Sequence, residues 1–220
     1  MARTVLFLTR FLLVLAAVAA PAAFGYHCTL QMRNLRVVRE GVLYRSGQMS
    51  ISGFKQAVHD YRIKTVISLR DAHRLGDAPP DLKEEEFCQR EEINFHRIVL
   101  GKWYAEDGTT PAEAGVKQFR AIMADPAKYP VLVHCLAGVH RTGACCAVYR
   151  MEQEHWSNER ALAEMKETGY DTLDDEWDIL GYLEIYQPTW KEPKELVARP
   201  RRPPIKPGVK QTRHSSRSER

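Results

Sequence analysis

Three short strand-like segments, the apolar Thr65–Leu69 and Val131–Val133 and the mixed Ile93–Leu100, are separated by stretches whose apolar residues recur at helical spacing. Phe54, Ala57, Val58 and Tyr61 keep that spacing within Ser52–Tyr61, and a polar helix is expected over Pro79–Glu92 with Leu82 and Phe87 turned inward. Another helix is expected from Thr110-Pro111-Ala112-Glu113, where Thr caps, Pro takes the first helical position and Glu closes a capping box; it must stop before Pro126. From Thr142 the pattern is helical to His155, and again over Glu159–Glu167 and Asp174–Tyr186. Leu35–Val38 and Val42–Arg45 read as a hairpin around Glu40-Gly41. Strands alternating with helices imply an α/β fold, a single domain with a central, mainly parallel sheet flanked by helices.

Charge divides the chain into three. The formal net charge of +4 over 220 residues hides +2 in 1–25 and +7 in 199–220, which leaves −5 for 26–198. An acidic body argues against a nucleic-acid footprint on the folded domain. Residues 1–25 run in the basic, apolar, small-residue order of an export signal, with Arg3 and Arg10 ahead of the uncharged Phe11–Ala20 and then Ala22 and Ala23. The uncharged stretch is shorter than the roughly 20 residues of a spanning helix, so a cleaved signal peptide is favoured over a membrane anchor. In either case the domain over 26–198 is expected outside the cytosol, periplasmic, extracellular or tethered. The Pro/Arg-rich 199–220 has almost nothing to bury and is expected to be a disordered, solvated extension, with anionic lipid, cell-wall polymer or nucleic acid as the alternative contact. Five cysteines (Cys28, Cys88, Cys135, Cys145, Cys146) are too few and too irregularly spaced for a disulfide framework.

The chemistry concentrates in Val131-Leu132-Val133-His134-Cys135-Leu136-Ala137-Gly138-Val139-His140-Arg141-Thr142-Gly143. An apolar strand runs straight into a short loop, and a helix follows. Ligands of open α/β sheets sit at the carboxyl ends of strands. Successive backbone N–H groups ahead of a helix N-terminus form an anion-binding concavity, because unpaired donors and the helix dipole point into one volume. Arg141 adds a planar fork matched to two phosphate oxygens. Cys135, at the base of the same positive field, is favoured as thiolate; lowering a thiol from about 8.5 by ~3 units corresponds to about 4 kcal/mol.

His-Cys-x5-Arg-Thr-Gly resembles the signature of cysteine-dependent protein-tyrosine and dual-specificity phosphatases. The stretch Gly41–Gln48, the strand Val66–Leu69 with Arg70, and the order of elements to about Tyr186 are similar to the compact dual-specificity members. The resemblance implies that Cys135 attacks phosphorus and that Arg141 with the amides of Leu136, Ala137, Gly138, Val139 and His140 holds the equatorial oxygens. It further implies that Thr142 assists thiolate release and that His134 orients the loop. The proton donor implied by the family is an aspartate some thirty residues ahead of the nucleophile; Asp107 is chosen here over its neighbour Glu106. No cofactor or metal is implied, the expected partner is a phosphorylated protein or small phosphomonoester, and a monomer is expected.

Rival readings meet specific objections. Gly138 and Gly143 have P-loop spacing, but Ala144-Cys145 stands where Lys and Ser/Thr are required. A metal site from His134, Cys135, His140, Cys145 and Cys146 lacks the second half of a ligand pattern. A sulfurtransferase, and a catalytically weak module that only binds phosphorylated groups, stay open. Inositol phosphates are a further alternative, but Leu136 and Val139 bring no charge to the loop, which favours phosphotyrosine or mixed phosphoprotein substrates. Arg45 either flanks the pocket or forms a structural ion pair; Cys145 and Cys146 read as small buried hydrophobes, with a resolving thiol for Cys135 as the alternative role of these or of Cys88.

Overall fold

The computed structural model describes residues 10–21 apart from 12 and 14, together with 31–72 and 76–191. The sheet has five strands, β1 (Arg36–Arg39), β2 (Leu43–Ser46), β3 (Thr65–Ser68), β4 (Asn94–Arg97) and β5 (Val131–His134), in the order β1-β2-β5-β3-β4. β1 and β2 form the antiparallel hairpin, and the remaining pairs are parallel. The helices are α1 (Ile51–Asp60), α2 (Leu82–Arg90), α3 (Glu113–Met123), α4 (His140–Gln153), α5 (Asn158–Glu167) and α6 (Trp177–Ile185). The expected fold class is therefore what the chain adopts.

Strand parity decides what each central residue meets, because successive side chains point to opposite faces. Leu43, Ile67, Val131 and Val133 enter one buried cluster with residues of α3, α4, α5 and α6. Tyr44, Val66 and Leu132 enter the other, with Phe54, Ala57 and Val58 of α1 and Cys88 of α2. Each such side chain, taken fully from water, contributes about 1.5–3 kcal/mol. Parity then carries past the strand end: Cys135 falls on the α4 side and His134 on the α1–α2 side. Register does the rest. Ser46 and Ser68 both stand opposite His134, so the three central strands end on one line and the chain leaves them together at the carboxyl edge.

Four details differ from the sequence expectations. β4 occupies only Asn94–Arg97 of Ile93–Leu100. α3 begins at Glu113, with no side-chain cap. The expected capping box is absent because Thr110 uses its carbonyl in a turn, accepting from Glu113 N at 2.9 Å, while the Glu113 carboxylate accepts from the Tyr182 hydroxyl at 2.6 Å. In α2 the inward residues are Glu84 and Cys88, with Phe87 half-buried, whereas Leu82 is exposed. α4 starts at His140 rather than Thr142, which shortens the loop after β5.

All the named elements lie in the unit Met1–Pro188; the second unit, Thr189–Arg220, is described only at 189–191, where Lys191 stands over the Trp190 ring. The described residues of 10–21 are helical, and among the described residues no helix is long and apolar enough to cross a membrane. The rest of the expected export segment, Cys28 and the basic tail over 199–220 lie outside the described residues.

Candidate active site

The loop from Cys135 to Val139 is shaped by what happens to its carbonyls. Leu136 O accepts from Gln48 N at 3.0 Å, Ala137 O from Asn34 Nδ2 at 2.7 Å, and Gly138 O from Arg45 Nη2 at 2.8 Å. Val139 O takes the first intrahelical bond, from Gly143 N at 2.8 Å. With four consecutive carbonyls held by protein donors, the peptide N–H groups are turned the other way. Gly138 N donates to Cys135 Sγ at 3.2 Å, and among the described residues the amides of Leu136, Ala137 and Val139 donate to no protein group. The first-turn amides of α4 complete the set, since a helix leaves them unpaired. The result is a cradle of donors around a buried sulfur, at the positive end of a 14-residue helix.

Glycine is required where this loop meets the end of β2. Gly138 has φ +75°, and a Cβ there would lie 2.4 Å from Gly47 N. A Cβ on Gly47 would lie 2.8 Å from Ala137 O. The two strands' exits touch backbone to backbone, and only the absence of side chains permits it.

Arg141 is half-buried and donates through Nη1 to Leu69 O at 3.1 Å, at the carboxyl end of β3. The carbonyl fixes one edge of the guanidinium and leaves the rest of the fork for an anion. Thr142 is fully buried, and its hydroxyl has no hydrogen-bond partner among the described residues. His134 is buried beside Phe54, with Nε2 3.1 Å from Glu84 Oε2, a close approach without the alignment of a hydrogen bond. Sequence reasoning missed Glu84; the burial of one carboxylate of this polar helix shows only once His134 of β5 comes against it.

His140 leaves the loop and packs tilted against the Tyr170 ring, centroids 4.5 Å apart. Tyr170 donates to Glu176 at 2.6 Å, and burial together with that carboxylate pushes its phenol well above the ordinary range. Trp177 meets Tyr104 edge to face and is half exposed, as is Leu136. Arg45 neither flanks a pocket nor forms an ion pair among the described residues; it is buried behind the loop. Cys145 and Cys146 are buried in α4, where desolvation holds both thiols protonated, Cys146 pushed up to about 11. Both pack within the core beside α4's neighbours. The five side chains of the metal reading do not converge, and among the described residues no group of three or more His, Cys, Asp or Glu could hold an ion.

The segment bearing Asp107 is a turn on a fixed stem. Trp103 is buried against Tyr182 at 5.3 Å, and Ala112 N donates to Lys102 O at 3.0 Å. At the exposed tip, Asp107 Oδ1 accepts from Thr109 Oγ1 at 2.7 Å and from Thr109 N at 2.9 Å. Those bonds hold the Asp107 carboxyl below its ordinary range, and Glu106 is exposed beside it.

Comparison with known proteins points the same way. The family model described as "DSP-PTPase phosphatase fused to NAD+ Kinase" matches residues 23–178. Dual specificity protein phosphatase TpbA of Pseudomonas aeruginosa is 38% identical over 125 residues, covering 56% of this chain and 49% of that protein. Tyrosine-protein phosphatase-like protein OCA2 of Saccharomyces cerevisiae is 28% identical over 116 residues, 52% of this chain and 54% of that one. The chain thus spans about half the length of the curated relatives it matches. Among solved structures, P. aeruginosa TpbA superposes with TM-score 0.53 at 24% identity, covering 70% of this chain and 85% of that one. The core catalytic domain of the PP-IP phosphatase SIW14 from S. cerevisiae gives 0.54 at 20% identity, covering 71% and 87%. Both share the fold. With the signature Cys135, Arg141 and Thr142 set in this frame and most of the folded chain matched by the model, the chain belongs to the DSP-PTPase phosphatase family.

Proposed function

We propose that this chain is a phosphoric monoester hydrolase that works through a phosphocysteine intermediate and acts on aryl phosphates of the phosphotyrosine kind. The observation that carries the reading is the outward fixing of the Leu136, Ala137 and Gly138 carbonyls, which aims the loop amides at the volume above Cys135 Sγ. Cys135 thiolate attacks phosphorus while the P–O bond to the leaving group breaks. The leaving oxygen takes a proton from Asp107, giving alcohol or phenol and phosphocysteine. Water then attacks phosphorus, its proton returns to Asp107, and the thiolate departs with help from the unpartnered Thr142 hydroxyl. The amides and Arg141 hold the oxygens on which charge gathers in both steps. Neither step calls on a metal.

TpbA has been crystallised with pTyr, and SIW14 is a PP-IP phosphatase. For this chain the half-exposed Leu136 on the loop supports the less charged of these substrate types. The cradle draws Asn34, Arg45, Gln48 and Arg141 from one chain, which supports a monomer as the acting unit. The order of residues 1–25 supports export or tethering of the domain, and the +7 of 199–220 supports contact of that tail with anionic lipid or polymer. The hydrogen bonds that hold Asp107 as carboxylate favour a second reading, a phosphate-binding module with slow turnover. Hydrolysis of p-nitrophenyl phosphate in EDTA, by the parent and by Cys135→Ser, tests the proposal. Turnover by the parent alone supports it, and turnover retained in Cys135→Ser or lost in EDTA removes it.

A further inference from the structure

We propose that Arg45 is a positioning residue for the phosphate loop: a buried guanidinium without a carboxylate partner that holds the Gly138 carbonyl outward and lends its positive charge to the underside of the Cys135 loop. The inference rests on the phosphatase reading above and adds to it a residue that touches no substrate.

Parity places Arg45 on the α4 side of β2, in step with Leu43, and it is only 3% exposed. Nη2 donates to Gly138 O at 2.8 Å and Nη1 to Thr168 Oγ1 at 3.1 Å. Among the described residues no carboxylate oxygen lies within 4.0 Å of it. Thr168 caps the end of α5 and donates its hydroxyl to Glu164 O at 2.8 Å and Met165 O at 3.0 Å. The guanidinium therefore faces the electron-rich end of a helix through a hydroxyl, and its charge is offset by dipoles instead of being cancelled by an anion. Burying an unpaired cation is costly, and an apolar side chain of similar length would fill the space at lower cost. The charge has a use where it sits. Arg45 Nη2 would lie 3.5 Å from a Cβ on Gly143, in the first turn of α4, and its field opposes the upward push that burial gives Cys146.

The titratable and charged groups around Cys135 are few. His134, His140 and Arg141 are on its own segment, with Glu84 of α2 against His134 and Glu176 4.0 Å from His140 Nε2. Cys145 and Cys146 of α4 and Tyr170 after α5 are close enough to interact with its charge. Of these only Arg141 is a permanent cation, and it is tied to Leu69 O. Arg45 is the second, and it approaches from below through the Gly138 peptide, the same residue whose N–H reaches Cys135 Sγ.

The test is the pH dependence of Cys135 alkylation by iodoacetamide, followed by peptide mass spectrometry, alongside orthovanadate inhibition, p-nitrophenyl phosphate kinetics and thermal unfolding. Arg45→Met should move the alkylation midpoint up by about one unit, a tenfold loss of thiolate at a given pH, and weaken vanadate inhibition by about tenfold. Arg45→Lys keeps charge without the fork, so its midpoint should stay within about 0.3 unit of the parent while kcat falls. If Arg45→Met does not fold, Thr168→Val, which removes the acceptor holding Nη1, should shift the midpoint in the same direction. A parent-like midpoint in every folded variant, or equal shifts in Arg45→Met and Arg45→Lys, overturns the role of Arg45 and leaves the phosphatase reading standing. A parent that alkylates near the ordinary midpoint of about 8.5 and turns nothing over sinks that reading, and this inference with it.

Discussion

Gly138→Ala measures how much the loop depends on touching the end of β2. The residue has φ +75°, and the new Cβ would sit 2.4 Å from Gly47 N, 2.5 Å from Ser46 C and 2.6 Å from Ser46 O. Unbonded heavy atoms rest at about 3.5–4.0 Å, so the loop must back away by about 1 Å, and backbone has no rotamer through which to escape. The left-handed conformation alone costs a non-glycine residue about 1–2 kcal/mol. Overpacking adds about 1–3 kcal/mol, for a total of about 2–5 kcal/mol by urea unfolding. The same displacement moves the Gly138 N–H, now 3.2 Å from Cys135 Sγ, and a misplacement of about 1 Å at a reacting centre lowers kcat on an aryl phosphate by about 10². Gly41→Ala is the control: its φ is +70° and nothing lies within 4 Å of the added Cβ. It should lose only the conformational share, about 1–2 kcal/mol, and keep its rate. If Gly138→Ala costs no more than Gly41→Ala and keeps kcat within about threefold of the parent, the close-approach argument is wrong.

Arg141→Lys keeps the charge but loses the fork anchored on Leu69 O, and kcat/KM should fall by about 10² or more while the unfolding midpoint stays near the parent's; steady-state kinetics decide it. Asp107→Asn should slow phosphotyrosine hydrolysis by about 10²–10⁴ and an activated aryl ester far less, with Glu106→Gln as the comparison; the opposite pattern moves the proton donor to Glu106. Thr109→Val removes a bond that favours the Asp107 carboxylate, so that group's pKa rises, its proton is retained to higher pH, and the basic limb of the kcat/KM profile moves up. N-terminal sequencing of the protein from its native host should find a chain beginning shortly after Ala22, or else a full-length chain that pellets with membranes. A soluble cytosolic protein retaining Phe11–Ala20 would refute export.

The elements that sequence periodicity located are those whose signals are local. The apolar run of β5, the helical spacing in α1 and the unbroken motif from Val131 to Gly143 each need only neighbours a few residues away. What escaped depended on distant partners. The capping box at Thr110 was reasonable chemistry, but Glu113 is engaged by a tyrosine 69 residues on. Apolarity alone turns Leu82 inward, yet the buried face of α2 is set by Glu84 and Cys88 against β5 and α1. For Arg45 both expected settings, a pocket edge and an ion pair, assumed that a buried arginine answers to an anion. It answers instead to a carbonyl 93 residues away.

Because the loop's main-chain donors have their orientation enforced from outside by Gln48, Asn34 and Arg45, the proposed phosphate site asks little of the side chains at 136, 137 and 139. Leu136 is half exposed, so it can be exchanged without disturbing the grip. In the proposed reaction, capture of the phosphoryl group and choice of what carries it are thereby written in separate parts of one short loop. A lineage built on this frame can drift from one clientele to another by changing residues that hold nothing up, and a designer can do the same at position 136 without rebuilding the enzyme.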